Sequence, residues 1–369
     1  MRIKPFQAVY PNFDYITSAD SFFDTVKVQY PEYKKSGFFN KTAQEAIYIY
    51  QIKTDKRVYT GLVACSDIQD FNEGNIKKHE NTLSQKEQQQ MHLMLSRNAT
   101  VKPVLLTYPN VDKIKNLIHQ TIKKNKPFYT TIMELKQQQH TFWEVSDGAL
   151  IQKFQKLFEK HVPRAYIADG HHRTSTTALM SERMKNNSDG KNYDLLLSAF
   201  FAVDELEIYD YNRVVDGLNE CSMTTFMAKI SQVFNVEILA EARKPNKKYE
   251  VVMFLNREWF VLTWKQEVLD EYEKESVLLD ASLLNEKVMK GILGIEDVRT
   301  DTRIKYIEGP KGLEALKERS IRNDSRVAFA LYPVELTDLL QIADEGKTMP
   351  PKSTWFEPRM KNGLVVHEF

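Results

Sequence analysis

The chain has 369 residues, 42% of them hydrophobic, and its 51 Lys and Arg against 50 Asp and Glu leave a net charge of +1. That length and apolar content fill one large or two medium domains, and the balanced charge excludes a global electrostatic footprint for nucleic acid or an anionic membrane. Two cysteines, Cys65 and Cys221, cannot build a disulfide framework or a metal knuckle; with no signal-peptide core and no membrane-length apolar window, a soluble cytoplasmic protein is expected.

Residues 1–45 carry Pro5, Pro11, Pro31 and many aromatics, which predict loops, short strands and one helix around Ser21 to Val28. Ala46 to Gln51 and Arg57 to Ser66, rich in Ile, Tyr and Val, predict a hairpin turning at Lys53 to Lys56. Ser84 to Arg97 predicts a helix, with Ser84 as N-cap and Glu87 completing a capping box. A strand at Pro103 to Tyr108, a helix at Val111 to Lys123, a hairpin over Phe128 to Leu135 and Gln139 to Val145, and a helix at Leu150 to His161 follow. Ala165 to Asp169 is an apolar strand ending in Asp-Gly, and a helix opens at once with His171-His172-Arg173-Thr174. Tyr193 to Val203 reads as a buried strand, extended by Tyr209 to Val215.

From about residue 216 a second α/β unit is expected. Its helices fall at Met223 to Phe234, Ala281 to Met289, Gly312 to Arg319 and Glu335 to Ala343. Its strands fall at Tyr249 to Leu255, Trp259 to Trp264, Arg303 to Ile307 and Arg326 to Tyr332. The expected domains are 1–215, 216–345, and a C-terminal loop over 346–369. There is no Walker pattern and no GxGxxG.

Three stretches can carry chemistry. At Asp169-Gly170-His171-His172-Arg173-Thr174, Gly170 admits a turn that a side chain would oppose. The helix start beyond it offers N–H groups and a dipole that favour an anion. Adjacent histidines on a helix point about 100° apart, so they do not chelate a metal as an i, i+4 pair would. Phosphate suits the stretch better, with Arg173 able to fork onto its oxygens. Lys77-Lys78-His79-Glu80 reads either as a solvated charged loop or as a carboxylate set among cations, able to take a proton from a hydroxyl beside a bound phosphate. Pro351-Lys352-Ser353-Thr354 reads either as a packed tail or as a loop donating to an anionic substrate.

Ile167-Ala168-Asp169-Gly170-His171-His172-Arg173 resembles the signature of a large bacterial family known as domain of unknown function 1015. Gly74 to Thr82, Lys102 to Leu106, Pro350 to Phe356 and Asn362 to Val365 follow that family's order. The series also resembles archaeal free-serine kinases: His79-Glu80, then Lys102-Pro103-Val104, then Ile167 to Arg173, then Pro351 to Thr354. The resemblance implies an α/β (α+β) protein whose ParB/sulfiredoxin-like catalytic domain carries the Asp-Gly-His-His-Arg strand-to-helix motif. It implies a kinase making O-phosphoserine from free L-serine, with Mg²⁺ and ATP, ADP or pyrophosphate as donor. Glu80 would be the base on the serine hydroxyl, with Asp169 and His172 also catalytic. Lys78, His79, Gly170, His171, Arg173 and Thr174 would hold phosphate, and Lys352, Ser353 and Thr354 the amino acid. No metal ligand, nucleic-acid partner or membrane partner is expected, and a homodimer is left open. The alternatives are a non-catalytic nucleotide-binding switch of the ParB-like type and a thiol-linked phosphoryl enzyme of the sulfiredoxin type.

Overall fold

Alternating and continuous apolar runs supply the strands of the first sheet. In chain order they are β1 (Ile3–Lys4), β2 (Ile47–Lys53), β3 (Val58–Asp67), β4 (Ile76–Lys77), β5 (Val104–Tyr108), β6 (Tyr129–Met133), β7 (Gln138–Val145), β8 (Ala165–Asp169) and β9 (Leu195–Ala202). The computed structural model describes residues 1–187, 189–322 and 326–369. Among those residues the nine strands lie in the order β4-β8-β5-β9-β3-β2-β7-β6, with β1 added on β3. The sheet is mixed: β4 with β8 and β5 with β9 are parallel, and β8 with β5 and β9 with β3 are antiparallel.

Among the described residues the long helices of the first unit are α1 (Ala19–Lys35), α2 (Ser84–Arg97), α3 (Asp112–Lys124), α4 (Gly148–His161) and α5 (His171–Met184). Apolar residues of α3 and α4, Ile114, Leu117, Ile118, Phe154 and Phe158, share one buried cluster with Ile49, Leu62, Leu106, Ile167 and Phe200 of the sheet. Each fully buried Phe there contributes roughly 1.5–3 kcal/mol. A smaller cluster joins Met91 and Met94 of α2 to Met180 of α5 and to Tyr193. It fixes the two helices that frame the site. At Gly61 on β3 a Cβ would lie 2.5 Å from the Phe200 carbonyl, so the close approach to β9 requires glycine.

Two local expectations change. The first helix runs from Ala19 through Pro31 to Lys35. Tyr30 is fully buried and donates to Glu368, and Phe22 and Phe39 pack beside each other, so tertiary contacts outweigh the proline's local penalty. The capping box does not form. Leu83 occupies the N-cap without a side-chain bond, and the Glu87 carboxylate instead accepts from Thr82.

The chain divides into two compact units, Met1–Glu207 with Pro358–Phe369, and Ile208–Glu357. The divisions fall at 207 and 357, against the 215 and 345 expected from the sequence. The last residues belong to the first unit because Val366–Glu368 pairs with Ala8–Pro11 and with Ala99–Thr100.

The second unit has a six-stranded antiparallel sheet of β10 (Tyr211–Asp216), β11 (Phe234–Leu239), β12 (Glu250–Leu255), β13 (Glu258–Trp264), β14 (Ile304–Glu308) and β15 (Arg326–Leu331). Its order is β11-β13-β12-β15-β10-β14. Helical residues such as Phe226, Ile230, Leu283 and Val288 pack on one face. The segment expected as a helix at Ala281 to Met289 is a short α-helix, Asp280–Leu283, that widens into a π-helical stretch, Leu284–Lys290. No described helix is long and apolar enough to cross a membrane.

Candidate functional site

The strand order β4-β8-β5 assembles the site. β4 runs parallel to β8, with Ile76 opposite Ala165 and Lys77 opposite Tyr166. The loop Lys78-His79-Glu80 therefore leaves the sheet at the same end as Asp169. β5 runs antiparallel to β8, with Leu105 opposite Asp169. The segment entering β5, Lys102-Pro103, reaches that end too. Three segments distant in sequence thus meet where α5 begins.

Gly170 makes the turn into α5 at φ 115°, and a Cβ there would lie 2.8 Å from the Arg173 guanidinium. Both facts require glycine. The first intrahelical bond runs from the Thr174 N–H to the Gly170 carbonyl at 3.0 Å. The N–H groups of His171, His172 and Arg173 precede it, at the positive end of a 14-residue helix.

On one side stand two imidazoles and a carboxylate. The His79 backbone N–H donates to His171 Nε2 at 3.4 Å, and Glu80 Oε2 lies 3.5 Å from His171 Nδ1. Since Nε2 accepts, the proton of a neutral ring resides on Nδ1 and faces Glu80. The His79 and His171 rings meet edge-on with centroids 4.4 Å apart. His79 is 1% exposed and burial pushes its pKa down to about 3. Burial and the neighbouring His79 hold His171 well below the usual histidine range. Both rings are therefore neutral at neutral pH. The Glu80 side chain is 36% exposed, so it is the member of this group open to a substrate.

On the other side Asp169 gathers cations. Its Oδ2 lies 2.7 Å from Arg173 Nη2 and 3.3 Å from Lys102 Nζ, and its Oδ1 lies 3.5 Å from Arg359 Nη2. Burial would raise this carboxyl, but Arg173, Lys102 and Arg359 together hold it well below the usual carboxylate range. Burial, aided by Arg173, pushes Lys102 down to about 8.

Most of the expected residues gather here, some in different employment. Arg173 was expected to fork onto phosphate. Its guanidinium donates through Nη1 to the Lys102 and Pro103 carbonyls and through Nη2 to Asp169, which engages three of its five N–H groups. Thr174 is fully buried and its hydroxyl donates to the Gly170 carbonyl. His171, not His172, faces Glu80. His172 Nδ1 has no hydrogen-bond partner among the described residues. Lys78 is exposed.

Lys102 and Arg359 were not among the predicted site residues. Lys102 had a signal, standing before Pro103 at a strand start. Arg359 comes from 189 residues beyond Gly170 (359 − 170) and has no local signal.

The remaining expected residues, Lys352, Ser353 and Thr354, lie in the second unit. Lys352 adopts a left-handed backbone, φ 58°, and its ammonium sits 5.1 Å from the Tyr211 ring centroid. Its carbonyl accepts from the fully buried Arg213 at 3.5 Å. Ser353 and Thr354 are buried, and the Ser353 hydroxyl donates to the Pro350 carbonyl at 2.7 Å.

Among the described residues no cluster of His, Cys, Asp and Glu is arranged to hold a metal ion. Asp169, the carboxylate best placed for one, is surrounded by three cations. Among the described residues, Asp169 with its three cationic partners thus does not fit the role of a Mg²⁺ ligand. The two thiols lie outside this centre. Cys65 is fully buried in β3, where burial raises its pKa far above that of a nucleophile.

The family described as "Protein of unknown function (DUF1015)" matches residues 9–283. The chain belongs to this family. No curated protein matches it. Three solved structures are similar to this DUF1015 member. SbnI with a C-terminal truncation from Staphylococcus aureus has a TM-score of 0.43 at 10% identity, over 81% of this chain and 85% of that one. A free serine kinase in complex with AMP has a TM-score of 0.38 at 12% identity, over 82% and 92%. A conserved hypothetical protein from Pyrococcus furiosus has a TM-score of 0.37 at 11% identity, over 82% and 95%.

Proposed function

We propose that this protein is a cytoplasmic small-molecule kinase that phosphorylates the hydroxyl of free L-serine, with ATP, ADP or pyrophosphate as donor. The observation that carries the reading is a half-open carboxylate, Glu80, set 3.5 Å from a buried, neutral His171 on the first turn of α5. A base thus stands beside an anion-binding helix start. The ordered motifs that resemble the free-serine kinases add the acceptor, and with it the assignment of the first unit to the ParB/sulfiredoxin-like fold.

The chemistry follows from these groups. The serine Oγ–H proton passes to Glu80 as the bond from Oγ to the transferred phosphorus forms. The bond from that phosphorus to the donor's bridging oxygen breaks, and the donor leaves one phosphate shorter. In such transfers the protein chiefly positions the reactants and neutralises charge. The N–H groups at the start of α5 serve the phosphoryl oxygens, and Lys102, Arg173 and Arg359 supply a positive field around Asp169. His171 Nδ1–H orients the Glu80 carboxylate without competing for the proton, because Nδ1 already carries one and burial opposes charging the ring. No step depends on a protein-held Mg²⁺. The acceptor role of Lys352, Ser353 and Thr354 rests on the resemblance.

Incubation of the protein with L-serine, Mg²⁺ and each donor in turn tests the reading. Phosphoserine is expected with at least one donor, and its absence with all three would overturn the assignment.

A further inference from the structure

A cavity of about 220 Å³ in the first unit is lined by four cationic side chains and two amides, together with Met94, Thr100 and Val101, and no carboxylate is in its wall. Lys27 comes from α1, Gln90 and Arg97 from α2, Lys102 from the approach to β5, Arg173 from α5, and Asn362 from the returning C-terminus. Glu80 and His171 are not part of it.

Arg97 is the decisive residue. It is the last residue of α2 and only 7% exposed. Its Nε donates to the Leu93 carbonyl at 2.7 Å, a bond that serves the end of the helix. Its Nη2 has no hydrogen-bond partner, and no carboxylate lies within ion-pairing distance, among the described residues. A helix-capping role explains one N–H and leaves the guanidinium charge buried and uncompensated. Such an arrangement is costly unless an anion supplies the missing partner. Lys102 and Arg173 cannot relieve it, since they add positive charge to the same wall.

We propose that this cavity binds a phosphate-class oxyanion, held by Arg97 Nη2, with Lys27 and Lys102 adding charge and Gln90 and Asn362 adding amide donors. The volume equals that of roughly seven water molecules. It falls below the ~300–1,000 Å³ of pockets that enclose drug-sized ligands, so it suits a phosphate group rather than a whole nucleotide. Two sources share that chemistry: free orthophosphate, and the phosphate end of a bound donor. The proposal does not require the kinase reading, because binding is measured without turnover.

Calorimetric titration of the full-length protein with inorganic phosphate tests it, using wild type, Arg97→Met, Arg97→Lys and Glu80→Gln. Wild type and Glu80→Gln should bind phosphate alike. Arg97→Met should bind at least about ten-fold more weakly, the loss expected for one hydrogen bond to a charged group, and Arg97→Lys should recover part of it. In phosphate-free buffer Arg97→Met should melt no lower than wild type, and phosphate should raise only the wild-type melting temperature. A purely structural Arg97 would do the opposite, with Arg97→Met melting lower in all buffers and phosphate shifting both proteins equally. Repeating the titration with saturating ATP or pyrophosphate separates the sources: competition assigns the cavity to the donor's phosphate end, and unchanged binding assigns it to free orthophosphate. Absence of phosphate binding by wild type, or equal binding by Arg97→Met, overturns the proposal.

Discussion

The two sides of the α5 start are built on opposite plans. On the imidazole side, His79 and His171 are buried without charge, and one carboxylate, Glu80, faces outward. On the guanidinium side, one carboxylate, Asp169, is surrounded by Arg173, Lys102 and Arg359 and is held permanently ionised. A carboxylate with three cationic partners is a poor base, because taking a proton would forfeit all three interactions. A carboxylate beside a neutral imidazole keeps its capacity to take one. Two carboxylates close to one helix start thus differ in setting, Asp169 among three cations and Glu80 beside a neutral imidazole, and the proposed division into charge anchor and proton acceptor follows that difference.

The comparison breaks most severely at Asp169. Asp169→Asn leaves three clustered cations without their common partner. We expect a loss of about 3 kcal/mol of stability, the lower end for breaking a buried ion pair, read by chemical denaturation. The variant should lose phosphoryl transfer as well. Unchanged stability would show that Asp169 does not anchor the cluster.

The imidazole side makes the fold acid-sensitive. His79 and His171 have native pKa values below the unfolded value of about 6.5, so the unfolded chain binds more protons as pH falls. Stability is fully present above about pH 6.5 and declines below it, toward about 3 for His79. For His79 alone the loss between pH 6.5 and 5 should be roughly 1.5–2 kcal/mol, with His171 adding to it in the same direction, visible as a falling denaturation midpoint. A flat profile would mean that the rings are not buried as neutral species.

The turn that separates the two sides should respond more mildly. Gly170→Ala forces a methyl group into a φ of 115° and against Arg173. The cost should be about 1–3 kcal/mol of stability, with the Arg173–Asp169 pair disturbed. The smallest effect is expected at the thiols. Alkylation of native protein should leave activity unchanged, because Cys65 is fully buried and Cys221 lies in the second unit. Loss of activity on alkylation would revive a thiol-linked phosphoryl enzyme.

Much of this architecture was legible in the sequence where local pattern and tertiary role agree. The apolar run Ala165 to Asp169, the Asp-Gly turn and the helix opening at His171 stand in the structure as strand, turn and helix. The hairpin of β2 and β3 was readable from its β-branched runs. Pro31 misled because a local penalty was weighed without the packing of Tyr30. Glu87 misled because its carboxylate serves Thr82 across the loop. Arg97 and Arg359 were invisible for a different reason: their roles depend on strand order, which brings α2, β5 and the C-terminus together. Nothing in the local sequence around an arginine tells whether its partner lies nearby in space. The roles of Arg173 and Thr174 were equally hidden, since the motif names the residues but not which atoms are already committed.

The central claim is that Glu80 takes the proton while the rest of the site holds charge. It is tested most directly by comparing wild type with Glu80→Gln for phosphoserine formation and donor binding in the same preparation. The account predicts a fall of about 10²–10⁴ in turnover, the usual contribution of a general base, with donor affinity largely retained. A Glu80→Gln enzyme that turns over serine at the wild-type rate would contradict it.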